Sequence, residues 1–310
     1  MTATAAPGLN SDNALRANEQ RVADLLDGQH RFLIDGQLRP AASGKTFTVT
    51  SPYSEEAIAE VPDGNASDVE NAVAAARRAF PSWSALSAPA RAEHCRRLAD
   101  AIELRANDFA LLDAVDGGAP ISVMAMDVRI GVETLRYFAG LALESKGYTT
   151  PASPNLHFTE LQPYGVVARI IPFNHPIMFA VSKIAAPLVA GNTVVLKPSE
   201  YTPLSALLLG QICAELLPAG VVNMVTGIGP VVGEAIASHP DIDMVSFTGS
   251  TRAGIRVSEL AAASVKPVTV ELGGKSANII LDDADFEAAV VNGIQKCFIN
   301  GGQTCTALTR

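Results

Sequence analysis

Cysteine is scarce in this chain of 310 residues: Cys95, Cys213, Cys297 and Cys305 are the only four, and none forms a CxxC pair. His94 beside Cys95 is a lone neighbour, not a cluster at zinc-ligand spacing, so neither a disulfide framework nor a bound metal is expected. The thiols read as free, in a reducing compartment. Long apolar runs are missing too, because Gly, Pro, Lys or Glu breaks every candidate before the roughly 18 residues a spanning helix needs. No membrane association is expected. The opening MTATAAPGLNSDN has neither a basic n-region nor an apolar h-region, which leaves a cytoplasmic address as the default. Basic residues are outnumbered, 23 against 32 acidic, and a net charge of −9 repels nucleic acid instead of releasing its counterions.

What the chain does have is apolar substance. With 48% hydrophobic and 18% charged residues it is too apolar to be disordered. At about 150 residues per domain its length suits about two domains, each with a real core. Residues 1–28 read as an extended or loosely docked arm with one amphipathic stretch, ALRANEQRVADLL. From Phe32 to Val61 the short runs FLIDGQL, KTFTVTSP and AIAEVP predict a β-ribbon, with Asp35-Gly36 as a two-residue hairpin turn. Asn65-Ala-Ser67-Asp68 supplies N-cap chemistry for VENAVAAARRAF, and helical spacing continues through residues 65–146.

From Gly165 onward β-branched runs alternate with helical ones: GVVARIIPF, TVVLKPSE, VVNMVTG, MVSFTG and PVTVEL. Near-continuous apolar strands with intervening helices predict an α/β fold over 165–271, a Rossmann-like, doubly wound parallel sheet covered on both faces. SANIILDD and DFEAAVVNGIQKCFI then predict one more strand and one more helix, the start of a second α/β unit.

Several motifs fall where such a sheet presents chemistry. Gly227, Gly229 and Gly233 follow VVNMVT with GxGxxxG spacing; they suit a pyrophosphate at a helix start, or a strand-to-helix turn that needs positive φ. Phe247-Thr248-Gly249-Ser250 ends another strand, where the Ser250 hydroxyl serves a phosphate or only caps a helix. Lys197 and Glu200 in LKPSE stand at a strand end, able to grip ribose hydroxyls or simply to form a solvated ion pair. Cys305 lies in the small-residue loop NGGQTC, whereas Cys297 reads as packed mid-helix; burial is the commoner fate of a lone cysteine. Glu271 ends PVTVE, where burial would raise its proton affinity as a general base requires, or where it ends a strand in an ion pair. Asn174 in PFNHP offers an amide to an oxyanion, or is ordinary turn chemistry.

Taken in order, PFNHP, LKPSE, GxGxxxG, FTGST, ELGGKS and GQTC resemble the NAD(P)-dependent aldehyde dehydrogenase superfamily from about Phe32 to Arg310. The resemblance implies Cys305 as catalytic thiol, Glu271 as general base and Asn174 as oxyanion-holding amide. It implies that Lys197 and Glu200 hold the adenosine ribose. Gly229, Gly233, Phe247, Gly249 and Ser250 would then surround the pyrophosphate, with Leu272 at the nicotinamide. The implied reaction takes an aldehyde to a carboxylic acid through a Cys305 thiohemiacetal and thioester. NAD is favoured over NADP, because a 2′-phosphate would meet the Glu200 charge.

In domain terms the resemblance divides the chain into an arm at 1–28, an NAD-binding domain at 29–271 with an oligomerisation-type insertion at about 115–163, and an incomplete catalytic domain at 272–310. Full-length relatives are expected to be homo-oligomers. Two departures stand out. Phe173 and His175 flank Asn174 where the family often has Trp and Phe, which alters the entrance and adds a titratable group. Family members also continue well past the thiol. The alternative is therefore an inactive dinucleotide-binding or subunit-interaction remnant, and the chain alone is expected to associate non-specifically without turnover. A CoA-acylating enzyme would keep the thiol, but that branch usually lacks the glutamate found here at 271.

Overall fold

The computed structural model describes residues 12–310. Within the presumed loose arm, residues 12–26 form a docked helix, α1 (Asp12–Leu26), and residues 1–11 lie outside the described residues. Arg21 donates Nε and Nη2 to the two carboxylate oxygens of Asp108 at 2.7 and 2.6 Å, while Leu25 and Leu26 pack on the core. A two-point guanidinium–carboxylate bond fixes direction as well as distance, and its partner lies too far along the chain to be read locally.

The β-ribbon appears as two antiparallel pairs, β1 (Phe32–Ile34) with β2 (Gln37–Arg39) and β3 (Thr46–Thr50) with β4 (Ala57–Pro62). Asp35 and Gly36 turn the first at φ +55 and +70, the left-handed conformation a two-residue hairpin requires. Four helices follow: α2 (Ala66–Ser84), α3 (Ala88–Leu104), α4 (Ala106–Gly117) and α5 (Ile121–Gly140). Asn65 caps α2 in a reciprocal box with Asp68, as its sequence indicates. Trp83, buried near the end of α2, donates its indole N–H to Leu188 O at 3.2 Å. A short exposed pair, β5 (Thr149–Thr150) and β6 (His157–Phe158), leads into the main sheet.

That sheet has five parallel strands, β7 (Val166–Ile170), β8 (Thr193–Lys197), β9 (Val222–Met224), β10 (Met244–Gly249) and β11 (Val268–Leu272). Their order is β11-β10-β7-β8-β9. The intervening helices are α6 (Pro176–Val189), α7 (Leu204–Leu216), α8 (Glu234–Ser238) and α9 (Thr251–Ala262), with a π-helical turn at Gly229–Gly233 before α8. The expected Rossmann-like sheet is present, and the chain reverses direction across it between β7 and β10, where carboxyl ends open a ligand crevice. Both β8 and β9 are buried along their whole length, which is why their sequences do not alternate.

The expectation of a further strand is corrected beyond β11. SANIILDD makes only an isolated bridge between Ser276 and Leu308. The final helix, α10 (Phe286–Cys297), does form, with Asp285 as its cap, but it has no buried residue. Cys297 is its last residue and only half-buried, not packed mid-helix. Apolar text specifies a strand or a packed face only where a neighbour exists, and none covers this segment among the described residues.

α6 and α7 begin a short turn after the ends of β7 and β8, behind His175 and Pro203, which make no side-chain cap. The missing acceptors come from α4: Asp113 Oδ2 takes the Ile177 N–H at 2.9 Å, and Asp116 Oδ2 takes the Leu204 N–H at 3.1 Å. Burial, reinforced by the nearby Asp127 charge, pushes the Asp113 carboxyl up to about 7, and burial likewise raises Asp116. A carboxyl that binds its proton more tightly when folded favours folding at low pH. That contribution is lost as pH rises from the ordinary value of 3.8 to about 7. Asp113→Asn, which keeps an oxygen for Ile177, should flatten the fall of melting temperature over this window; thermal melts showing an unchanged slope would contradict the assignment.

Candidate active and cofactor site

Lys197 closes β8 at 2% exposure. Its ammonium donates to Pro198 O at 2.9 Å and to Glu200 Oε2 at 3.2 Å, and Glu200 Oε1 accepts from the Gly229 N–H at 3.4 Å. This is an ion pair, though not a solvated one. Burial lowers the proton affinity of Lys197. For Glu200, burial acts upward, but the Lys197 charge and backbone amides outweigh it and hold the carboxyl below its ordinary range. Gly229 and Gly233 face the pair: a Cβ would stand 3.9 Å from Glu200 Oε1 at the first and 3.8 Å from Lys197 Cδ at the second. Gly227 answers the other reading of the same motif, since it turns at φ +140 where a Cβ would come within 2.5 Å of Val232. One ammonium proton and several carboxylate lone pairs remain for hydroxyl groups.

At the end of β10, the Phe247 ring lies 2.6 Å from where a Gly249 Cβ would be, and Ser250 caps α9 by accepting from Ala253 N at 3.3 Å. The Thr248 hydroxyl between them is buried without a partner, an orphaned polar atom at the crevice. Leu272 packs on α9 at Gly254, where a Cβ would come within 2.7 Å of it. The lysine–glutamate pair, the glycine backbone over it and this unpaired hydroxyl fit a dinucleotide.

Asn174 lies in the turn between β7 and α6. It donates Nδ2 to Gln303 O at 2.8 Å, while Asn300 Nδ2 donates to Asn174 O at 2.6 Å. Asn300 is 1% exposed at φ +54, and Gly301 and Gly302 follow at +63 and +80. The loop that carries Cys305 is thus tied to Asn174 by Asn300 and Gln303, two residues whose roles are not evident from local text. Cys305 itself is exposed.

Glu271 requires a correction. It is exposed, because β11 is the edge strand and pairs only with β10, opposite Thr248. The burial expected to raise its proton affinity is absent. No hydrogen bond joins Glu271 to Cys305 or Asn174 among the described residues; its charge instead opposes the burial and the Arg169 charge that lower the proton affinity of half-buried Lys183. Asp113, Asp116 and Asp127 were also missed. Their one signal is an acidic residue in apolar helical text with no basic residue three or four positions away on the same helix face.

No helix among the described residues is long and apolar enough to cross a membrane. A parallel sheet reversing between β7 and β10, with a buried lysine–glutamate pair under glycine backbone at its carboxyl edge, defines a Rossmann-type dinucleotide-binding unit. A model of the aldehyde dehydrogenase family matches residues 39–310, and the chain belongs to that family. It is 44% identical to a mitochondrial aldehyde dehydrogenase of Leishmania tarentolae, over 91% of this chain and 57% of that protein. It is 42% identical to aldehyde dehydrogenase 1A1 of Gallus gallus, over 97% of this chain and 60% of that one. The NAD+ complex of an aldehyde dehydrogenase from Bacillus cereus superposes with a TM-score of 0.90 at 42% identity, covering 93% of this chain and 60% of its own. The chain therefore spans about three-fifths of the length of these relatives.

Burial pushes the Cys95 thiol up to about 12 and raises Cys213 as well, which leaves little thiolate at either. Iodoacetamide should label Cys305 ahead of Cys95, Cys213 and Cys297. Peptide mapping that finds another cysteine labelled first would remove the basis for treating Cys305 as the reactive thiol.

Proposed function

We propose that this chain carries the cofactor-binding and thiol-bearing part of an NAD-dependent enzyme that oxidises an aldehyde to a carboxylic acid. The observation that carries the reading is the bond from Asn174 Nδ2 to Gln303 O, which sets the Cys305 loop against the carboxyl end of β7, next to the strand that ends in Lys197. Relatives are named for retinaldehyde, benzaldehyde and betaine aldehyde, so the aldehyde group is the shared element of their substrates.

The Cys305 sulfur attacks the carbonyl carbon, and the oxygen of the resulting thiohemiacetal takes up negative charge. Asn174 has a second amide proton beyond the one given to Gln303, and that proton is available to the oxyanion. Nicotinamide, when bound, supplies the hydride acceptor. Glu271, open to solvent on its edge strand, activates the water that hydrolyses the Cys305 thioester and frees the thiol. Lys197 and Glu200 hold the adenosine ribose, and Gly229 and Gly233 admit the pyrophosphate closely. Phe247, Gly249 and Ser250 support the pyrophosphate, and Leu272 supports the nicotinamide. Residues 29–271 form the cofactor domain and 272–310 belong to the catalytic one. The exposed β5–β6 segment suits contact with another subunit in the full-length homo-oligomer, and a reducing cytoplasm suits the exposed thiol.

Calorimetric titration of both cofactors tests the first half of this reading. NAD should bind more tightly than NADP, and Glu200→Gln should narrow the difference; tighter NADP binding would overturn the assignment. The chemistry is tested in a polypeptide that carries this chain at the length of its relatives. There Cys305→Ala should abolish NADH formation, and Glu271→Gln should chiefly slow thioester hydrolysis.

A further inference from the structure

The residue after Asn174 has a partner that none of the roles above employs. His175 Nδ1 lies 2.6 Å from Oδ2 of Asp127 on α5. The aspartate side chain is 2% exposed and the imidazole 12%. The ring stands edge-on to Phe179 one turn along α6, with 6.2 Å between centroids, and the Lys183 ammonium sits 5.7 Å from the Phe179 ring centre. Next to Asn174 in the chain there is thus a hydrogen-bonding ring, with an aromatic ring one turn further along α6.

Asp127 determines which atom of that ring is free. Its carboxylate accepts the Nδ1 proton, and Nε2 has no partner among the described residues. A neutral ring offers Nε2 as an acceptor, and a protonated ring offers it as a donor. A hydroxyl group answers both, since it can give one hydrogen bond and accept others. An alkyl group answers neither and would desolvate Nε2 without replacing its water. With Asn174 taken as the amide beside the carbonyl, its adjacency to His175 in the chain limits the reach of the ring to substituents on the first carbons beyond the carbonyl.

We propose that the Asp127–His175 pair is a specificity-determining element that selects aldehydes carrying a hydroxyl group close to the carbonyl carbon. The proposal rests on the reading of Cys305 as the thiol that receives the aldehyde and of Asn174 as the amide beside it.

The test reads binding in the chain itself. An aldehyde that reacts reversibly with Cys305 forms a sulfur–carbon bond while the thiol proton passes to the carbonyl oxygen, and the thiohemiacetal blocks iodoacetamide. The measured quantity is the ratio of half-protecting concentrations of butanal and 3-hydroxybutanal. Their intrinsic difference in reactivity cancels when variants are compared. His175→Asn places an amide nitrogen near the old Nδ1, keeps a bond to Asp127 and removes Nε2. The double variant His175→Phe/Asp127→Leu removes the pair together, so that no carboxylate is left buried alone.

Relative to the parent chain, both variants should lower the preference for 3-hydroxybutanal by about tenfold. Circular dichroism should show an unchanged fold, and butanal protection should change far less than 3-hydroxybutanal protection. An unchanged ratio in a folded variant overturns the proposal alone. Absence of protection by either aldehyde in the parent chain overturns the assignment of Cys305, and the proposal with it.

Discussion

Two helices of this fold start where they cannot satisfy their own first amides, and a third helix does it for them. α6 and α7 spring from the carboxyl ends of β7 and β8, and their entry residues, His175 and Pro203, make no cap. Asp113 and Asp116, one turn apart near the end of α4, accept an amide from each. An unsatisfied buried amide costs roughly 1–3 kcal/mol, so these acceptors are needed even though burial makes their charged form unfavourable. The turns so anchored are those that carry Asn174 and follow Lys197. The site thus inherits its geometry from a helix that contributes no reacting group.

Local chemistry was legible where the cause lay within a few residues. Asp35-Gly36 announces its hairpin because only a few residue types tolerate left-handed backbone there, and Asn65 announces α2 because its cap reaches just three residues ahead. The parallel sheet was legible because full burial erases alternation, and the order of six motifs along it carried the resemblance. Long-range partners were not. Arg21 with Asp108, Asp113 with Ile177 and Asn300 with Asn174 join segments whose spacing no periodicity records. The exposure of Glu271 was misjudged for a related reason: apolar neighbours mark a strand but do not say whether it lies at the middle or the edge of its sheet.

The charges at the carboxyl edge form one system. Lys197 is balanced by Glu200, half-buried Lys183 has the charge of Glu271 set against its burial, and half-buried Arg169 has burial alone acting on it. Desolvation lowers the proton affinity of all three cations, Arg169 to about 10. These cations outnumber the two carboxylates by three to two, a balance that favours an anionic ligand over a cationic one nearby.

Trp83 has a consequence of a different kind. It is the single tryptophan of the chain, buried in α2, with its indole proton on the carbonyl of Leu188 near the far end of α6. Intrinsic fluorescence excited in the indole band therefore arises from one known place, with no second emitter to subtract. Its wavelength reports water at the seam between α2 and α6, so a change at either end of α6 that loosens the helix becomes visible as a red shift. The protein carries its own optical gauge on α2, bonded to the helix that follows Asn174.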